Sequence, residues 1–162
     1  MGAFDRLRLY LQTDYRLDHK MNKLGCAVRA LIAYVELRYR IVFNPIEIME
    51  IVGEIFERHY LDYDYSFTDP GGIVEVAADR CGVAAGCYDV ATRKGSRTDY
   101  YQWVLNSSDL THDFTLLKWK TEGLEGIHFT LGDKEGNEIF DPYPVDIKKR
   151  LIYEILLRFK EI

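Results

Sequence analysis

Gly25-Cys26-Ala27-Val28-Arg29-Ala30-Leu31-Ile32-Ala33-Tyr34-Val35 is the stretch on which the fold turns. It runs on through Glu36-Leu37-Arg38-Tyr39, and its apolar surface is broken mainly by Arg29, Glu36 and Arg38. A helix that is apolar nearly all round has no face to offer water, so it is buried. The pattern predicts the central helix of a domain over about residues 25–39, with the rest of the chain packed around it.

Further elements follow on both sides. Residues 7–12 (LRLYLQ) read as a short opening strand or extended segment, and residues 13–24 as polar and irregular. Asn44, Pro45 and Glu47 form a helix-start signature of cap, first-turn proline and capping box. The apolar stripe Ile48, Ile51, Val52, Ile55 and Phe56 follows it. Asp69-Pro70 opens a third, shorter helix that ends near Cys81-Gly82. Residues 83–91 look like a strand, and 92–113 like a polar loop with a helical turn around Tyr100 to Leu105. Residues 114–120, 126–132 and 137–142 are three strand candidates, and Asp133-Lys134-Glu135-Gly136 is a hairpin loop. A final helix is expected over about 144–160, from the stripe Ile147, Leu151, Ile155 and Phe159. Helices first and an antiparallel sheet after them imply one α+β domain over 1–162. Its helical part is about 13–82, its sheet part about 83–143 and its C-terminal helix about 144–160.

The totals narrow the function classes. At 162 residues, 48% hydrophobic and 29% charged, the chain can build one core and is not disordered. The net charge is -5 and no Lys/Arg block is present, which argues against nucleic acid as a partner. No apolar run reaches the length of about 20 residues that spans a bilayer, so no membrane partner is expected. The charged N-terminal residues lack the apolar core of a secretory signal, and Arg6 stands where a myristoylation signal needs Ser or Thr. Three cysteines, Cys26, Cys81 and Cys87, are an odd count that suits a reducing compartment, so a cytoplasmic location is expected.

One constellation carries chemistry. A thiol becomes a nucleophile on losing its proton, which a helix N-terminus and an imidazolium both favour. Cys26 stands at the predicted helix start, His128 lies in the strand-like run Gly126-Ile127-His128-Phe129, and Asp141 closes Glu138-Ile139-Phe140-Asp141-Pro142. A hairpin pairing Gly132 with Asn137 places His128 directly opposite Asp141 and Phe129 opposite Phe140. Opposed residues share a face of the sheet, so the aspartate is placed to hold the imidazole while its other nitrogen points at Cys26. Acyl transfer also needs a donor for the developing oxyanion. The candidates are the Cys26 backbone N–H and the side chain of Gln12, which ends the first apolar segment.

The order Gln12, a loop, Gly25-Cys26 opening a long apolar helix, Gly126-Ile127-His128-Phe129, a turn and Phe140-Asp141-Pro142-Tyr143 resembles the papain-like cysteine peptidases of the bacteriocin-processing, C39-like type. The likeness is to stand-alone domains and spans about residues 9–143. It implies a papain-like fold, with Gln12 in the oxyanion hole, Cys26 as nucleophile, His128 as base and Asp141 orienting it. The chain departs from the family in having Ala27 where glycine usually follows the cysteine, and in a longer segment between strands. Specificity for double-glycine leader peptides does not carry over. The region Leu11 to Ala27 also resembles proteins of spirochaete plasmids and prophages.

The plain readings of the same residues differ. Free cysteine is among the most buried residue types, and a glutamine at a segment end needs no function. Asp141 before Pro142 can simply start a turn. Among the other histidines, His19 reads as solvated loop, His59 as a helix-end charge and His112 as an outlying base candidate. Cys81 and Cys87 lack zinc-ribbon spacing and read as small hydrophobes. Gly71-Gly72 is a helix start without a phosphate-loop lysine, Asp62-Tyr63-Asp64-Tyr65 a solvated loop, and Lys148-Lys149-Arg150 the wet face of the last helix. The resulting expectation is a peptidase or amidase acting on a peptide or amide, with no cofactor and no metal. Two rivals stand beside it: a phage-type or cell-wall peptide hydrolase with the same triad, and a catalytically silent papain-like binding module.

Overall fold

The computed structural model describes residues 8–82, 88–91, 114–121, 127–133, 137–143 and 150–161. Its helices are α1 (His19–Leu24), α2 (Cys26–Tyr39), α3 (Pro45–Glu57) and α4 (Pro70–Arg80). Its strands are β1 (Tyr88–Ala91), β2 (Phe114–Thr121), β3 (Ile127–Asp133), β4 (Glu138–Phe140) and β5 (Arg150–Glu161). Helices precede strands, and the arrangement is α+β.

Helix α2 is the centre, as its composition demands. Every residue from Ala27 to Leu37 is buried, and the helix lies against β3 and α4. Helix α3 begins as its sequence dictates: Asn44 Oδ1 accepts the Glu47 N–H, and the Glu47 carboxylate accepts the Asn44 N–H. In α4, Asp69 accepts the Gly72 N–H, with Pro70 in the first turn, so Gly71-Gly72 is part of a helix start.

The segment before α2 departs from expectation at both ends. Residues 8–11 form no strand ladder. The Tyr10 carbonyl is instead tethered to Arg29, and the N–H of the next-but-one residue, Gln12, to the Pro142 carbonyl. The stretch expected to be irregular contains α1, which Asp18 caps by accepting the N–H groups of Lys20 and Met21. A helix of 6 residues has no room for an amphipathic stripe, so its cap is the one available signal.

The sheet has five strands in the order β1-β5-β2-β3-β4, antiparallel throughout. The expected C-terminal helix over about 144–160 is a misreading: residues 150–161 form β5, paired with β1 and β2. The stripe Leu151, Ile155 and Phe159 repeats every four residues, and four is also a multiple of the strand period, so it fits either structure. Tyr153 and Leu157 between them are apolar too, as a strand face would have, but Ile152 and Leu156 blur the alternation, so pairing with β1 and β2 decides. Arg150 opens that strand, so it belongs to no helical wet face; Lys148 and Lys149 lie outside the described residues, as do 83–87, the 92–113 loop with its Tyr100–Leu105 turn, His112 and Cys87.

Gly25 lets α1 run into α2 with almost no connector. A Cβ there would collide with the Sδ and the backbone oxygen of Met21. Gly25→Ala is therefore expected to lower stability by about 1–3 kcal/mol, the usual cost of overpacking, measured by urea unfolding. An unchanged midpoint would show that the junction has slack.

Candidate active site

Cys26 is the first residue of α2 and is partly exposed. Gly25 caps the helix without a side-chain hydrogen bond. His128 lies on β3, and its Nε2 is 2.7 Å from Asp141 Oδ1, just beyond the end of β4. The Cys26 side chain is hydrogen-bonded to the same imidazole. With Nε2 committed to Asp141, Nδ1 is the nitrogen left to serve the sulfur. The three residue types that the sequence sets far apart thus meet at one ring.

The hairpin that brings Asp141 to His128 differs from the expected one. Leu131, not Phe129, is opposite Phe140, and Gly132 pairs with Glu138, not Asn137. The cause lies at the turn, where the Asp133 carboxylate accepts the Asn137 N–H at 2.8 Å and the Asp133 N–H donates to the Asn137 carbonyl. Asp133 and Asn137 therefore face each other, and a register shift between Leu131 and Gly132 adds a further residue on the β4 side. At Phe140 the slip is two residues, which preserves the face. Continuing that register puts Asp141 opposite Thr130 and diagonal to His128, within reach of two polar side chains.

Asp141 also makes the turn that the plain reading assigns to it. Its Oδ1 accepts the Tyr143 N–H at 3.0 Å. Pro142 has no N–H, so Tyr143 supplies the nearest one. One carboxylate oxygen is thereby fixed by backbone and imidazole together.

Burial opposes a charge on His128, whose side chain is 11% exposed. The hydrogen bonds to Asp141 and to Cys26, with the charges of both, outweigh it and raise the imidazole to about 9. The ring is consequently protonated at neutral pH, both nitrogens donate, and the short contact to Asp141 is charge-assisted.

Gln12 is buried. Its Nε2 donates to the Asn22 carbonyl at 3.1 Å, and Asn22 Nδ2 donates to the Gln12 carbonyl. Its backbone N–H reaches the carbonyl of Pro142, the neighbour of Asp141. Gln12 thus bridges α1 and the residue after Asp141. Its Oε1 is buried without a protein hydrogen-bond partner among the described residues.

Three contributors are absent from the sequence reading of the site. Asn22, on α1, fixes the Gln12 segment by donating to the carbonyls of Gln12 and Asp14. Trp119 is paired with His128 across β2 and β3, and its Nε1–H donates to Thr130 Oγ1, which sets the indole on the His128 face. Arg29 is wholly buried, with Nη1 2.6 Å from Glu36 Oε1 and Nε donating to the Tyr10 carbonyl. A charged residue inside an apolar helix is the available signal for Arg29, and a tryptophan in the 114–120 strand for Trp119.

The other described residues singled out in the sequence lie away from this ring. His19 is exposed at the start of α1; His59 is exposed just after α3, in the left-handed backbone region. Burial pushes the Cys81 thiol up to about 11, which leaves it an unreactive neutral group. Asp62, Tyr63 and Asp64 are exposed while Tyr65 is buried. Among the described residues no three His, Cys, Asp or Glu side chains gather around a metal position, and no helix is long and apolar enough to cross a membrane.

Because the folded imidazole is raised above 6.5, its contribution to stability is full below that pH and is lost as pH climbs through about 9. Asp141→Asn is thus expected to be destabilising at about pH 5.5, with the gap to the parent chain narrowing by about pH 10.5. Urea unfolding at the two pH values checks this; a constant gap would mean that the His128 charge is not what Asp141 stabilises.

No protein-family model matches this sequence, and no curated protein or solved structure is similar to it at a significant level.

Proposed function

We propose that this chain is a papain-like cysteine peptidase or related amidase, similar to the stand-alone C39-like domains. The observation that carries the reading is the single imidazole bonded both to Asp141 and to a cysteine that opens a buried helix. The ring has a sulfur and a carboxylate as its two partners, an arrangement that suits a nucleophile, a base and an orienter.

In the proposed cycle, the Cys26 proton has passed to His128; the thiolate attacks the amide carbonyl carbon, a C–S bond forms, and the carbonyl oxygen takes up negative charge. The Cys26 N–H and the second N–H of Gln12 Nε2 stabilise that oxygen; Asn22 occupies only the first. The His128 imidazolium gives its proton to the leaving nitrogen as the C–N bond breaks. Water then attacks the thioester, with His128 taking its proton, and the C–S bond breaks to release the acid. Asp141 holds the ring throughout and does not change protonation.

Cys26→Ala is expected to abolish cleavage of a quenched fluorogenic peptide library while leaving the fold intact. Turnover retained by that variant would falsify the reading. Gln12→Ala should slow turnover by about 10²–10³-fold but leave iodoacetamide alkylation of Cys26 unchanged, because alkylation forms no oxyanion. Equal losses in both would assign Gln12 to holding the loop.

The alkaline limb of kcat/KM should have its midpoint near about 9, where His128 loses the proton it donates. In Asp141→Asn that midpoint moves to lower pH. The binding-module alternative requires something different: Cys26 no more reactive toward iodoacetamide at neutral pH than Cys81.

A further inference from the structure

We infer that Arg29 is a positioning residue for this site, its buried guanidinium fixing the helix of Cys26, the segment of Gln12 and the strand end of Asp141 relative to one another. The inference rests on the peptidase reading and extends it to a residue outside the triad.

Arg29 lies three residues after Cys26 on α2, so the two project from neighbouring turns of one face. Its guanidinium has no solvent exposure and makes two hydrogen-bonded contacts and one ring contact, with Nη2 unpartnered among the described residues. Nε donates to the carbonyl of Tyr10 at 2.7 Å, two residues before Gln12. The guanidinium carbon stands 5.3 Å from the centroid of Phe140, the residue before Asp141. Nη1 holds Glu36, whose other oxygen accepts the Phe43 N–H.

Only the last of these contacts is needed to neutralise a buried charge. The other two reach the segments that carry the remaining proposed site residues. A buried ion pair is a poor source of stability, and well-packed apolar side chains often do as well or better. Pure core filling therefore does not require arginine here. A planar fork that bonds in several fixed directions at once does, and lysine has none.

Two variants test this. Arg29→Met with Glu36→Leu removes the charges together and supplies apolar volume. Arg29→Lys keeps a charge beside Glu36 but loses the fork. Both are compared with the parent chain by thermal unfolding, by iodoacetamide alkylation of Cys26, and by NMR titration of His128. A folded variant is expected to label Cys26 at least about tenfold more slowly and to titrate His128 about one pH unit lower, since the ring, the sulfur and the carboxylate lose their common frame.

Folded variants with parental labelling and titration would overturn the inference and leave the peptidase reading standing. Loss of fold in both would assign Arg29 to folding alone and also overturn it. If Cys26 of the parent chain labels no faster than Cys81, the peptidase reading itself fails, and this inference with it.

Discussion

Burying α2 on every side from Ala27 to Leu37 is the constraint to which the other elements answer. A helix so placed must be surrounded, and α4 and β3 supply two of its walls. It also carries Arg29 and Glu36 into the interior, where neither charge survives unpaired. Burial lifts the Glu36 carboxyl above its usual range, against the pull of the Arg29 charge and the Phe43 N–H. Removing one partner from such a pair typically costs about 3–5 kcal/mol. The same helix presents Cys26 at its first turn, so an enclosed element also holds the sulfur of the proposed nucleophile. A nucleophile on a buried helix is held more firmly than one on a loop.

The electrostatics of the site follow from that placement. A buried imidazole on β3 would ordinarily be neutral, because desolvation disfavours its charge. Asp141 and Cys26 reverse this by supplying an anion or acceptor on each side of the ring. Trp119, anchored on Thr130, occupies the same face and keeps that environment apolar. The result is a proton held in place on His128 at neutral pH, the state from which a leaving amine can be protonated.

Much of this arrangement is legible in the amino-acid sequence, because its signals are local. The apolar run after Gly25, the Asn44-Pro45-Glu47 start and the Asp69-Pro70 start each depend on neighbouring residues alone, and α2, α3 and α4 begin where those residues stand. Cys26, His128 and Asp141 are also recoverable as a set, since each occupies the end or middle of a readable element. What is not legible depends on tertiary context. Leu151, Ile155 and Phe159 satisfy both helix and strand periods, and only pairing with β1 and β2 decides between them. The pairing of β3 with β4 depends on an Asp133–Asn137 side-chain contact that no periodicity reveals. Arg29 is visible as an interruption in an apolar helix, but its partners lie in distant parts of the chain, at Tyr10 and Phe140 as well as Glu36.

The slipped hairpin explains why a wrong register still delivers the right contact. Strand side chains alternate with period two, so a slip of two residues changes which residue is opposite but not which face it occupies. Asp141 moves from direct opposition to a diagonal, a distance that an imidazole and a carboxylate can span between them. A slip of one would send Asp141 to the far side of the sheet. Further bonds beyond the turn hold the strand end in that register. Asp141 caps Tyr143, and the carbonyl of Pro142 accepts the Gln12 N–H. The Asp141-Pro142 pair therefore serves two purposes at once: its aspartate orients the ring, and its proline carbonyl anchors the segment that carries the oxyanion-donor candidate. Moving this dipeptide by one position would displace both, which is why the strand end, and not the histidine alone, fixes the geometry on which the proposed chemistry depends.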